Sequence, residues 1–171
     1  MYSLRFNTSG GRNTGVGYKA LEQNTTALYN TSVGYNALLN ADRTADTDGY
    51  NTGLGDAAGS NITTGNKNTL LGASTAVSDA AGTNQSVIGY GASGQADNSV
   101  TLGNASVTSV FMAQDTGATV YTAGISLAND ETITNATDGT VLINGTVAGG
   151  TGSAAGVFQS NGDQDLSLIH I

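Results

Sequence analysis

The stretch Asn30-Thr31-Ser32-Val33-Gly34-Tyr35-Asn36-Ala37-Leu38 decides the fold, because the chain spells it twice. The earlier copy is Asn13-Thr14-Gly15-Val16-Gly17-Tyr18-Lys19-Ala20-Leu21. Looser copies follow as Asn51-Thr52-Gly53-Leu54-Gly55 and Asn68-Thr69-Leu70-Leu71-Gly72, then Ser86-Val87-Ile88-Gly89 and Ser99-Val100-Thr101-Leu102-Gly103. The closing glycines are Gly17, Gly34, Gly55, Gly72, Gly89 and Gly103, separated by 17, 21, 17, 17 and 14 residues. A fixed period of this size marks a repeat architecture in which each unit stacks on the next.

Each copy holds a short alternating stretch, Thr-x-Val or Val-x-Leu, closed by Gly. That pattern predicts a strand of about four or five residues and a turn, too short to be stable alone. The unit length leaves room for two short strands and two turns, not for a helix and a strand. Stacked units of this kind form an all-β solenoid. Its core is expected to be one Val, Leu or Ile per coil, supplied by Val16, Val33, Leu54, Leu71, Ile88 and Leu102. Alternation then places Ser32 outward. The glycine after each aliphatic predicts a positive φ or a close approach of backbone. The Asn that opens each strand suits a turn, or a ladder running up the stack. So thin a core predicts that several copies share one axis.

The 21-residue spacing places an insertion at about residues 40–48, expected to project as a polar loop. Residues 1–10 read as an incomplete leading repeat, residues 11–103 as the repeats, and residues 104–148 as a β-rich connector or shaft. A Gly-rich break with a truncated strand occupies residues 149–165. Leu166-Ser167-Leu168-Ile169-His170-Ile171 matches the translation of a transposase-adapter sequence used in shotgun environmental sequencing, and is expected to be an artefact. A native strand is the alternative. No window predicts a helix, since Gly, Thr and Asn dominate wherever the chain is not apolar.

Composition narrows the function. Gly, Thr, Ala and Asn supply 25, 24, 22 and 17 of the 171 residues, and Pro and Cys are absent. All five Lys and Arg residues lie before position 68, and the formal net charge is −8. That sign disfavours nucleic acid and anionic membranes as partners. No stretch approaches 18 consecutive apolar residues, so a soluble chain is expected. Disulfides and thiolate metal sites are excluded for want of cysteine, and nothing in the sequence points to a cofactor.

Catalysis has little material. The one histidine, His170, lies in the suspect terminus, so Ser-His-Asp and Cys-His arrangements are not expected. Glycan cleavage needs paired carboxylates, and Glu22, Asp42, Asp46, Asp48, Asp56, Asp79 and Asp97 fall at no full repeat spacing. A non-enzymatic chain is expected. Asp42, Asp46 and Asp48, followed by Gly49, are the candidate calcium ligands; a plain solvated loop is the alternative. Tyr18, Tyr35 and Tyr90 share one repeat position and are expected on one face. They either cover the turn edge structurally or contact a glycan by ring stacking.

Ile88-Gly89-Tyr90-Gly91-Ala92-Ser93-Gly94-Gln95-Ala96-Asp97-Asn98-Ser99-Val100-Thr101-Leu102-Gly103 resembles the 14-residue head repeat of YadA-type trimeric autotransporter adhesins. The 17-residue version, Asn-Thr-x-Val-Gly-Tyr-x-Ala-Leu, is similar to repeats of bacteriophage tail-fibre and tail-spike proteins. Leu102 to Val110 resembles the segment that follows such repeats in those fibres. The resemblance spans roughly residues 11–112. It implies a left-handed parallel β-roll assembled as a parallel homotrimer. It also implies a structural and host-attachment role in a phage virion, with a host-surface glycan or protein as partner. The head of a bacterial surface adhesin is the alternative, and a glycan-degrading tail spike a third reading.

Overall fold

A computed structural model describes residues 2–42, 48–113, 120 and 122. The chain divides into two compact units, Met1–Ala118 and Thr119–Ile171, and every strand among the described residues lies in the first. The connector is expected to open with a strand near Val107–Met112, but residues 104–113 are described and form none. Most of the rest of the connector, the Gly-rich break and residues 166–171 lie outside the described residues.

Six short strands form one parallel sheet in chain order: β1 (Thr14–Val16), β2 (Thr31–Val33), β3 (Thr52–Leu54), β4 (Thr69–Leu71), β5 (Gln85–Ile88) and β6 (Ser99–Leu102). Thr14 pairs with Thr31, Thr31 with Thr52, Thr52 with Thr69, Thr69 with Ser86, and Gln85 with Ser99. These offsets are the 17, 21, 17, 17 and 14 of the glycine spacing, so each repeat is one coil of a parallel β-solenoid. Two further lines of parallel contact join the coils: the bridges Leu28–Asp48 and Asn66–Thr83 just before the strands, and the bridge Ala76–Ser93 five residues after them. No helix occurs among the described residues. Tyr2 to Asn7 lies on the first coil, with Leu4 N–H donating to Ala20 O at 3.0 Å and Phe6 N–H to Glu22 O at 3.1 Å.

The strand orientation is the reverse of the one expected from alternation. Ser32, Leu70 and Val87 are fully buried, whereas Val16, Leu54, Leu71, Ile88 and Leu102 are 38–51% exposed and Val33 is half-buried. Thr-x-Val places Thr and Val on one face, and in this fold that face is the outer one. The core is built from Leu21, Leu38, Ala41, Ala58, Ile62, Leu70, Val77, Val87 and Ala92, with Leu4 packed against it. Volume explains the arrangement. In the first two coils Leu21 and Leu38 fill the interior from the turn, and the inward strand position is Gly15 or Ser32. In the fourth and fifth coils Leu70 and Val87 fill it from the strand with Val77 and Ala92 beside them, while the positions equivalent to Leu21 and Leu38 are half-buried Ala76 and exposed Ser93. A Cβ on Gly53 would stand 2.8 Å from Leu38 Cγ, and one on Gly59 would stand 2.8 Å from Leu38 Cδ2. The middle coil is therefore small on both walls.

The closing glycines do two jobs. Gly17, Gly34, Gly55, Gly72, Gly89 and Gly103 hold φ between 80° and 139°. A Cβ on Gly34 would overlap the carbonyl of Gly55 in the next coil. The corners are also left-handed at non-glycine residues. Lys19, Asn36, Ala57 and Ser74 occupy one repeat position with φ of 53–58°, and Gly91 continues it at 61°. Such φ values are costly for ordinary L-residues.

Buried polar side chains tie the coils together. Asn13 Oδ1 accepts from Asn30 N–H (2.8 Å), Asn30 Oδ1 from Asn51 N–H (3.0 Å), Asn51 Oδ1 from Asn68 N–H (3.1 Å) and Asn68 Oδ1 from Gln85 N–H (2.9 Å). The Asn13, Asn51 and Asn68 amides donate in turn to Ala27 O, Gly65 O and Gly82 O. Of the two roles the sequence allows for this Asn, the ladder is the one formed, and it also supplies the turns with donors.

Candidate functional site

The sheet presents its outer face as two columns. One is Thr14, Thr31, Thr52, Thr69, Ser86 and Val100; the other is Val16, Val33, Leu54, Leu71, Ile88 and Leu102. Parallel pairing stacks their side chains one coil above another at the strand spacing of about 4.8 Å. The aliphatic column is thus a continuous apolar stripe along the solenoid. Scattered exposed aliphatics are ordinary, but a contiguous stripe marks an interaction surface.

Aromatic columns edge this face on both sides. Beyond the glycine corner stand Tyr18 and Tyr35, whose rings stack with centroids 5.3 Å apart and 13° between planes, while Tyr2 meets Tyr18 edge-on at 5.7 Å. Arg5 lies over the rings of Tyr2 and Phe6, and Lys19 over Tyr18. Both cations also pair with buried Glu22, Arg5 at 3.5 Å and Lys19 at 3.3 Å. Asp56 and Ala73 follow in the column, so Tyr90, 76% exposed, stands apart from Tyr18 and Tyr35. The three tyrosines share a column but make no unbroken stripe. Tyr18 and Tyr35 also turn one ring face each to the other and stay about half exposed.

A second stack edges the opposite side. Tyr29 and Tyr50 lie 4.8 Å apart at 13°. Arg12 lies over the Tyr29 ring and donates to its hydroxyl. The column runs Arg12, Tyr29, Tyr50, Lys67, Asn84 and Asn98. Sequence reading missed the Tyr29–Tyr50 pair because its spacing of 21 matches the one coil lengthened by the insertion. The Tyr50 hydroxyl is held above its usual pKa by a hydrogen bond to Asp48, with desolvation adding to it.

Two of the candidate calcium residues, Asp42 and Asp48, have hydrogen-bond partners within the chain. Asp42 accepts from Thr25 N–H at 2.9 Å and from Thr25 Oγ1 at 2.8 Å. Asp48 bonds Tyr50, and Asp46 lies outside the described residues, as does the middle of the insertion. Among the described residues no group of three or more His, Cys, Asp or Glu side chains could hold a metal ion. Asp97 caps the turn of the coil below, accepting from Thr83 N–H at 2.7 Å and from Gln85 Nε2 at 3.1 Å, and these bonds hold its carboxyl below the usual range. No helix among the described residues is long and apolar enough to cross a membrane.

Comparison with protein-family models, with curated proteins and with solved structures finds no match to this chain.

Proposed function

We propose that the chain is a non-enzymatic structural and host-attachment segment of a homotrimeric fibre of the kind bacteriophage tail fibres use. The outer aliphatic column carries this reading. It runs the length of the solenoid, its members are close to half exposed, and nothing among the described residues of one copy covers it. Three parallel copies with this face on a common axis bury all six levels at once. The resemblance of the 17-residue repeat to tail-fibre repeats supplies the setting, a virion that meets a host-surface glycan or protein. Tyr90 is the candidate glycan contact with the most open ring, since Tyr18 and Tyr35 are stacked on each other.

The head of a bacterial trimeric adhesin is the second reading. It is favoured by one observation, the 14-residue offset from Gln85 to Ser99, which is the adhesin repeat length. Both readings share the trimer. Light scattering on the purified chain tests it: three times the 17.0 kDa chain mass is expected, and a folded monomer at micromolar concentration contradicts it. Adsorption of the labelled chain to intact bacteria, and competition by their surface glycans, tests the attachment role.

A further inference from the structure

We infer, resting on the parallel trimer above, that the two edge columns of the sheet form the seams between copies, each coil meeting the same coil of its neighbour. If three sheets face a common axis, one edge of each abuts the opposite edge of the next. Copies related by pure rotation stay at one height, whereas an axial shift would open the ring into a helix. The residues that meet then lie six apart in sequence: Arg12 with Tyr18, Tyr29 with Tyr35, and Tyr50 with Asp56.

These three pairings are chemically compatible, and the next two, Lys67 with Ala73 and Asn84 with Tyr90, bring no like charges together. A guanidinium meets an exposed ring, for which it has a favourable cation–π contact. Two half-exposed tyrosines meet, a pairing that stacked or edge-on rings satisfy. The Tyr50 hydroxyl already bonds Asp48, so Asp56 across the seam meets the ring edge, whose positive rim favours a carboxylate. Like edges would not match at the same height. Asp56 would face Asp56 on one side, and Arg12 would face Arg12 and Lys67 face Lys67 on the other. The two edges are therefore built to meet each other rather than themselves. This gives the stacked tyrosines a role beyond covering turns, since each stack presents its edge to the copy alongside.

The chain has no cysteine, so introduced thiols report unambiguously. Positions 29 and 35 flank the strand Thr31–Val33 on opposite sides, and at about 3.3 Å per residue the strand with its two neighbours alone spans roughly 13 Å, beyond the reach of about 7 Å between the Cα atoms of a disulfide. A link between them must join two copies. In the Tyr29→Cys/Tyr35→Cys variant, mild oxidation or a short bis-maleimide is expected to convert the protein to a covalent trimer on denaturing gels, with no larger species. The pair Tyr50→Cys/Asp56→Cys carries the same expectation one coil on, should the first variant fold poorly. A covalent trimer from the shifted pair Tyr35→Cys/Tyr50→Cys, with neither in-register pair linking, would overturn the seam while the trimer stands. Covalent dimers as the end product would overturn it by showing like edges in contact. A monomeric mass for the unaltered chain would overturn trimer and seam together.

Discussion

The side-chain carbonyl of Asn51 accepts from both the backbone N–H and the side-chain amide of Asn68, each at 3.1 Å, in the coil that follows. Both asparagines are buried, so these bonds have no water to replace them. Asn51→Ala would strand the Asn68 and Gly65 groups it serves, and unmade buried hydrogen bonds cost about 1–3 kcal/mol each. The expected result is a fall in stability of about 2–4 kcal/mol by denaturant titration, against less than about 0.5 kcal/mol for Gln23→Ala on an exposed turn away from the sheet.

Gly55 predicts a second failure with a different cause. Its φ is +136°, and a Cβ would sit 2.7 Å from the carbonyl carbon of Gly72. Gly55→Ala therefore adds steric overlap with backbone to an unfavourable φ. It is expected to lower the midpoint of thermal unfolding by several degrees, read by circular dichroism, whereas Ala57→Gly two residues later should not.

The left-handed corner offers a gain. Ser74 is exposed at φ 57°, the same repeat position that Gly91 holds at 61°. Glycine removes a Cβ penalty of about 1–2 kcal/mol and adds an unfolded-state cost of about 0.5–1 kcal/mol. Ser74→Gly should thus be neutral to slightly stabilising, and Gly91→Ser destabilising. Paired thermal melts of the two variants check the sign.

Acid should loosen the last coils first. The Asp97 carboxyl is held below its usual range by the Thr83 N–H and the Gln85 amide. A depressed folded-state pKa contributes stability that is present above the unfolded value of about 3.9 and is lost as pH falls through the folded value. Melting temperature should therefore decline below about pH 4, and Asp97→Asn should reduce that decline. Hydrogen exchange should place the extra opening at residues 83–99.

Much of this architecture could be read from the repeat, and what could not has a definite cause. Glycine spacing gave coil lengths and strand register because every coil needs one Cβ-free corner at the same place, where Gly34 meets Gly55. Strand orientation was not legible. A period of two says that Thr31 and Val33 share a face but not which face, and the inward position, filled in turn by Gly15, Ser32, Gly53, Leu70, Val87 and Thr101, has no constant apolar signature. The filling Leu21 and Leu38 sit in the turn, at φ of 53° and 47°, where aliphatic periodicity does not look. The left-handed column at Lys19, Asn36, Ala57 and Ser74 was equally silent, because packing between coils rather than residue type fixes its φ.

The strands turn Ser32 inward and Val33 outward, and the proposed trimer sets Val33 against the neighbouring copies, so a charge at each position has a different consequence. Ser32 is fully buried and its hydroxyl donates to Ala37 O at 2.6 Å, so Ser32→Asp places an unpaired charge in the core at a cost of several kcal/mol. Val33→Asp places its charge on the outer face, where it opposes assembly. Circular dichroism of both variants across a wide range of protein concentration reads the difference. Ser32→Asp should lack the β-signature at every concentration, while Val33→Asp should recover it as concentration rises. Normal assembly of Ser32→Asp, with Val33→Asp unfolded at every concentration, would contradict the orientation and the interface built on it.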